Sequence, residues 1–152
     1  MIVSRSADYA LRAMVFLARL ESHRFVSANE IASVMQTPPF LLSRILQHLV
    51  KNDLLQSMKG HHGGFRLARN AAAISALEII HLIDGPFVMH DCTGKCGMGP
   101  NCNMKTVFSR AEMALAEVFE NVTLADLSQP HANGSVQPKS AVRFDHVVPG
   151  VE

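Results

Sequence analysis

Between residues 7 and 20 apolar side chains recur at Leu11, Met14, Val15 and Ala18, the spacing of an amphipathic helix, with Arg5, Arg12 and Arg19 off the stripe. Such a helix buries one face. The next signal is Ser27-Ala28-Asn29-Glu30, a capping box in which the Ser27 hydroxyl caps the Glu30 amide and the Glu30 side chain reaches back. It opens a short helix through Met35, which Thr37-Pro38-Pro39 stops. A proline suits the first turn of the following helix, over about 39–52, because its missing N–H has no partner to lose there. Leu42, Ile45, Leu46 and Leu49 form the inward stripe of that helix, while Ser43, Arg44 and Gln47 point elsewhere.

Two short helices joined by a tight turn, the second exposing polar side chains able to bond to base edges, form a helix-turn-helix pattern that any antiparallel helix pair shares. The residues that follow weigh toward DNA binding. Leu54–Met58 reads as a strand, His61-His62-Gly63-Gly64 as a hairpin turn and Phe65-Arg66-Leu67-Ala68 as a returning strand. The set predicts a mainly α fold with a small β wing, a winged helix whose basic hairpin tip is flanked by Lys59 and Arg66. A helix over Ile74–Leu82 follows, with Leu77, Ile80 and Ile83 on one face, ended by Asp84-Gly85-Pro86. A longer one over 103–121 carries Met104, Val107, Phe108, Ala111, Leu115, Val118 and Phe119 as a stripe. So long a stripe needs a partner, and beside so small a domain a second copy of the chain is a reasonable one. From Ser128 onward Gln, Pro, Asn, Gly and Ser interrupt any periodicity, and a poorly ordered tail is expected.

At 152 residues, 48% apolar and 18% charged, the chain is sized for one self-sufficient core. No apolar run reaches the roughly 18 residues of a membrane span, and the N-terminus has no signal-peptide core, so a cytoplasmic protein without membrane partners is expected. The net charge of +1 hides an uneven distribution. Residues 37–70 carry Arg44, Lys51, Lys59, Arg66 and Arg69 against Asp53 alone, with His48, His61 and His62 in the same stretch. That stretch is where a polyanion would sit. No Ser/His/Asp set, phosphate-binding glycine loop or paired carboxylate stands out, so an enzyme is not expected.

All three cysteines fall in one run, Cys92-Thr-Gly-Lys-Cys96-Gly-Met-Gly-Pro-Asn-Cys102. Three thiols cannot pair off within one chain, and Gly94, Gly97, Gly99 and Pro100 let them fold round a single centre. Thiolates choose soft or borderline metals: zinc, copper(I) or an iron–sulfur cluster. On spacing alone zinc, with His90 completing a tetrahedron, ranks level with a cluster. A bare thiol switch ranks third.

The order Asp8-Tyr9-Ala10-Leu11-Arg12-Ala13, Ile31-Ala32, Pro39-Phe40-Leu41, Ile45-Leu46-Gln47 and Lys59-Gly60-His61-His62-Gly63-Gly64-Phe65-Arg66-Leu67-Ala68 resembles the bacterial winged-helix regulators that include IscR, NsrR and RirA. Ile79-Ile80 through Asp84-Gly85 and Thr123–Leu127 extend the likeness over residues 1–127. The resemblance implies a homodimeric transcription regulator of pseudo-palindromic double-stranded DNA. It divides the chain into a DNA-binding domain (1–85), a cluster-binding loop (86–102), a dimerisation helix (103–127) and the tail (128–152). DNA contact would fall to Pro39, Phe40, Ser43, Arg44 and Gln47 on the reading helix and to Lys59, His61, His62, Gly63 and Arg66 on the wing. Dimer contact would fall to Val107, Phe108, Ala111, Leu115 and Val118.

Cys92, Cys96 and Cys102 match in order the three cysteines that hold an iron–sulfur cluster in that family, 4Fe-4S or 2Fe-2S. The first gap, of three residues, is shorter than the family's usual one. Lys105 stands where IscR has its histidine, and a protonated lysine is not a ligand. Asp8 stands where NsrR-type proteins use an aspartate of the first helix, which implies a fourth ligand supplied by the opposite subunit. The bland reading of Asp8 is a helix N-terminal acid favoured by the dipole, and His90 and Asp91 are reserves. Ser43 stands where IscR has a glutamate used in site discrimination. Asp8, with the Cys102-Asn103-Met104-Lys105 and Thr123–Leu127 stretches, leans toward NsrR and so toward nitric oxide as the signal, with iron or cluster supply and redox stress beside it. A zinc-stabilised winged helix and a cluster carrier without a DNA role are the rival readings.

Overall fold

A computed structural model describes residues 3–20, 24–89 and 102–129. The first helix, α1 (Arg5–Ala18), starts at Ser4, whose hydroxyl accepts the Ala7 amide at 3.1 Å. Its buried face is Ala7, Ala10, Ala13, Met14 and Leu17. The expected stripe is therefore corrected: Met14 is in the core, but Leu11, Val15 and Ala18 are half-buried. Small side chains win the inward face because α1 passes close to several other helices, and alanines let backbones approach where leucines hold them apart.

The second helix, α2 (Ala28–Met35), has half of the expected capping box. Ser27 Oγ accepts the Glu30 amide at 3.1 Å, but the Glu30 carboxylate turns away to Arg24, at 2.5 and 3.3 Å. A two-pronged guanidinium contact outcompetes one backbone amide for that carboxylate. The Arg24 hydrogen bond holds the Glu30 carboxyl below its ordinary range and raises Arg24 in turn. Gln36, in the left-handed region at φ 51°, ends α2, and α3 (Pro39–Lys51) follows with proline in its first turn, as expected. Leu42, Ile45, Leu46 and Leu49 are buried, as the periodicity predicts.

Strands β1 (Leu55–Met58) and β2 (Gly64–Leu67) pair antiparallel, Leu55 opposite Leu67 and Met58 opposite Gly64. β1 starts one residue later than expected and ends where expected, and β2 is shifted one residue earlier at both ends. Two glycines are required at the turn. A Cβ on Gly63 would lie 2.2 Å from the Met58 carbonyl oxygen, and one on Gly64, at φ 146°, 2.2 Å from that of Val26. Gly64 thus lets Val26 dock on the wing, where Val26 and Phe65 exchange backbone hydrogen bonds of 3.0 and 2.8 Å.

The helix after the wing, α4 (Ala76–Asp84), is shifted by two residues from the expected span. Ser75 caps it, and Ile74 stays extended, its carbonyl accepting the Leu124 amide at 2.8 Å. That shift corrects the inward face to Ala76, Ile79 and Ile80, with Leu77 and Ile83 half-buried. The long helix α5 (Asn103–Glu120) and a short α6 (Leu124–Ser128) close the described chain. Thr123 and Asp126 form a complete capping box at the start of α6, and Leu124 enters the same core as Met14, Leu46 and Ile79. Among the described residues no helix is long and apolar enough to cross a membrane.

Candidate nucleic-acid interface and cysteine centre

With Leu42, Ile45, Leu46 and Leu49 inward, the helical period turns Phe40, Ser43, Arg44, Gln47, His48 and Lys51 outward, where they line one shallow open depression. Ser43 is half-buried, while Pro39, Phe40, Arg44 and Gln47 are exposed. His48 and Lys51 extend the sequence-predicted face. Their positions four residues beyond Arg44 and Gln47 are the signal that could have placed them there. The His48 Nε2 also lies 3.3 Å from the Leu82 carbonyl oxygen, which ties α3 to the last turn of α4.

On the wing, Lys59, His61 and His62 are exposed around the turn that Gly63 closes, its amide donating to Gly60 at 2.9 Å. Arg66 lies lower on the hairpin. Its Nε donates to Gln56 Oε1 at 3.0 Å, and its guanidinium carbon lies 4.6 Å from the centre of the Phe25 ring. Arg69 is engaged by Glu78. The positive character of 37–70 therefore rests on Arg44, Lys51, Lys59 and Arg66.

Ser4, Ser27, Ser75 and Thr123 cap α1, α2, α4 and α6 with side-chain oxygens. The starts of α3 and α5, at Pro38 and Cys102, have no side-chain cap. An open helix start leaves the positive end of the dipole for other negative groups, a thiolate among them.

The last turn of α4 is a junction. Asp84 accepts from the Ser4 backbone amide at 2.8 Å and the Ser4 hydroxyl at 2.5 Å, fastening the start of α1 to the point where the chain leaves for the cysteine run. Phe87 is buried, 5.1 Å from the His81 ring and 5.8 Å from that of Phe119 on α5. The Met89 amide donates to Glu112 Oε1 at 2.7 Å. The segment from Phe87 to Met89 thus runs along α5 from its C-terminal end toward its start. Cys102 is half-buried at that start. Cys92, Cys96, His90 and Asp91 lie outside the described residues, as do residues 130–152 of the expected tail.

Asp8 is in the first turn of α1, its side chain 44% exposed, with Arg12 Nε 2.9 Å away. Among the described residues no three His, Cys, Asp or Glu side chains are grouped to hold a metal ion. On α5, Met104, Val107, Met113, Leu115 and Val118 are exposed, Phe108 and Ala111 are half-buried, and no residue is fully buried.

The family described as "Rrf2: Iron-dependent Transcriptional regulator" matches residues 3–130. The chain belongs to the Rrf2 family. It is 31% identical over 131 residues to the HTH-type transcriptional regulator NsrR of Oceanobacillus iheyensis, an alignment covering 84% of this chain and 89% of that one. Among solved structures it is similar to CymR, described as the global cysteine regulator of B. subtilis, with a TM-score of 0.74 and 25% identity over 84% of this chain and 96% of that one. It is similar also to T. potens IscR, with a TM-score of 0.69 and 27% identity over 84% of this chain and 85% of that one. This Rrf2-type protein is a DNA-binding transcription regulator with a winged-helix fold, and its relatives are regulators, not enzymes.

Proposed function

We propose that this Rrf2-family chain works as a homodimer in the cytoplasm, that an iron–sulfur cluster sets its affinity for operator DNA, and that nitric oxide is the signal it answers. Cys92, Cys96 and Cys102 would hold the cluster, with Asp8 of the partner subunit as fourth ligand. The observation that carries the reading is the seat of Cys102. It opens α5 without a competing side-chain cap, on the same helix against which Glu112 and Phe119 hold the segment leading toward the cysteine run. The donor set fits: three thiols within eleven residues suit iron–sulfur ligation. The Asp8 carboxylate meets only Arg12 among the described residues and is half open to its surroundings. A bound cluster would supply an iron open to small molecules, and an Asp8 carboxylate ligand would exchange more readily than the three thiolates.

The chain's own residues then divide the work. The outward stripe of α3 reads bases, the wing neutralises backbone phosphates, and the apolar stripe of α5 joins two copies. The Ser4–Asp84 bonds and the His48–Leu82 contact connect the exit toward the cysteine run with α1 and α3.

Anaerobic purification followed by visible absorption, iron and sulfide analysis and gel shift before and after a nitric oxide donor tests this reading. Expected are a coloured protein, loss of colour on replacing any of the three cysteines by Ala with helical circular dichroism retained, and altered DNA affinity after the donor. A colourless zinc protein that binds DNA equally in all states would overturn it. Mutants that unfold outright would make the cysteine run a structural metal staple.

A further inference from the structure

The outward stripe of α3 is polar at every position but its first. Ser43, Arg44, Gln47, His48 and Lys51 follow Phe40, which is 76% exposed. An aromatic ring left in water forgoes the free energy of burial, and the apolar neighbours Leu42 and Ile45 face the core. Val34 and Met58 are also exposed, but they stand on α2 and β1, off this stripe. Phe40 lies in the first turn of the helix, and in helix-turn-helix proteins the N-terminal residues of the reading helix touch base edges. Among the groups that base pairs display in the major groove, the apolar one is the thymine 5-methyl.

We infer that Phe40 is a specificity-determining residue that covers a thymine methyl in each half of the operator. The inference rests on α3 being the helix that reads DNA. Its position follows from helix geometry. Phe40 and Arg44 are separated by four residues, about 6 Å along the axis at about 1.5 Å per residue, and base pairs stack about 3.4 Å apart. The thymine therefore lies about two base pairs from the guanine whose O6 and N7 the Arg44 fork engages. An operator half-site that lacks a thymine there binds more weakly, although every hydrogen bond of the helix is kept.

The experiment selects duplexes from a random pool with the full chain purified anaerobically, then replaces each thymine of the selected duplex by deoxyuridine, which removes only the methyl group. Binding is read by fluorescence anisotropy. One thymine per half-site is expected at which deoxyuridine weakens wild-type binding about fourfold, the value of one buried methyl-sized group. Phe40→Ala should bind the thymine and deoxyuridine duplexes alike, and Phe40→Leu should restore part of the difference. Phe40 is exposed, so both variants should keep the parent's circular dichroism.

A thymine preference that survives Phe40→Ala overturns the inference, as does a selected duplex in which no thymine methyl matters. Arg44→Ala separates the two levels. If it changes base preference while Phe40→Ala leaves the methyl effect intact, only the role of Phe40 fails. If it changes no preference, or if the pool yields no enriched duplex, α3 is not the reading helix and the inference falls with that reading.

Discussion

Lys59 and Arg66 carry the same charge on the same hairpin but have different surroundings, and this allows charge to be separated from packing. Lys59 is exposed where β1 ends, beside the turn bearing His61 and His62. Arg66 lies across from Gln56 in the strand register and is stacked on Phe25. If Lys59 neutralises one phosphate in each protomer, Lys59→Ala in a dimer removes about 1.8 from the slope of log affinity against log salt, at about 0.9 per phosphate. Raising the salt about fourfold should then cost the variant about twelvefold less affinity than it costs the parent. Arg66→Lys keeps the charge, so the slope should stay. The planar contact with Phe25 and the directed bond to Gln56 weaken, and stability should fall by about 0.5–1 kcal/mol. Arg66→Ala should show both losses. Anisotropy titrations over a salt series read the slope, and urea unfolding reads the stability. An unchanged slope in Lys59→Ala would take the wing tip off the DNA, and a lowered slope in Arg66→Lys would refute the division between charge and packing.

Ser4→Ala and Asp84→Ala should each destabilise by about 1.5–3 kcal/mol in urea, because Ser4→Ala removes the hydroxyl bond to the Asp84 carboxylate together with the cap on the Ala7 amide, and Asp84→Ala removes the acceptor of both Ser4 bonds; the double variant should lose less than their sum, and strict additivity would mean that the pair is not coupled. Gly64→Ala should lower the thermal midpoint and DNA affinity together, at a cost of about 2 kcal/mol or more for a residue forced into a left-handed φ against the Val26 carbonyl; an unchanged midpoint would refute that close approach. Leu115→Glu, on the exposed stripe of α5, should yield a monomer by sedimentation velocity with helical circular dichroism retained, because no residue of α5 is fully buried in the single chain; a persisting dimer would assign the contact elsewhere.

The elements legible in the sequence are those whose signal is local. The α3 stripe follows a single helical period, so Leu42, Ile45, Leu46 and Leu49 announce both the helix and the polar face opposite. The hairpin turn is set by adjacent glycines that the backbone needs where Met58 and Val26 approach. Spacing brings three thiols within one short run, and that run alone points to soft-metal chemistry.

The remaining features needed the tertiary structure, because they depend on which partners reach the same place. Periodicity located α1, but three of its five inward positions went to alanines, since close approach of neighbouring helices selects side chains by size as well as hydropathy. The start of α4 is set where Ser75 bridges to Thr123 and the Ile74 carbonyl accepts the Leu124 amide, partners far along the chain. Glu30 carries the sequence signature of a cap but sits within reach of Arg24, and the stronger charged contact took it. Ser4 and Asp84 are eighty residues apart, and neither carries a local signal of the other. Local pattern determines which segments become helix or strand, because those hydrogen bonds close within a few residues. Competition among side chains for the same space and the same donors is settled only when the segments pack.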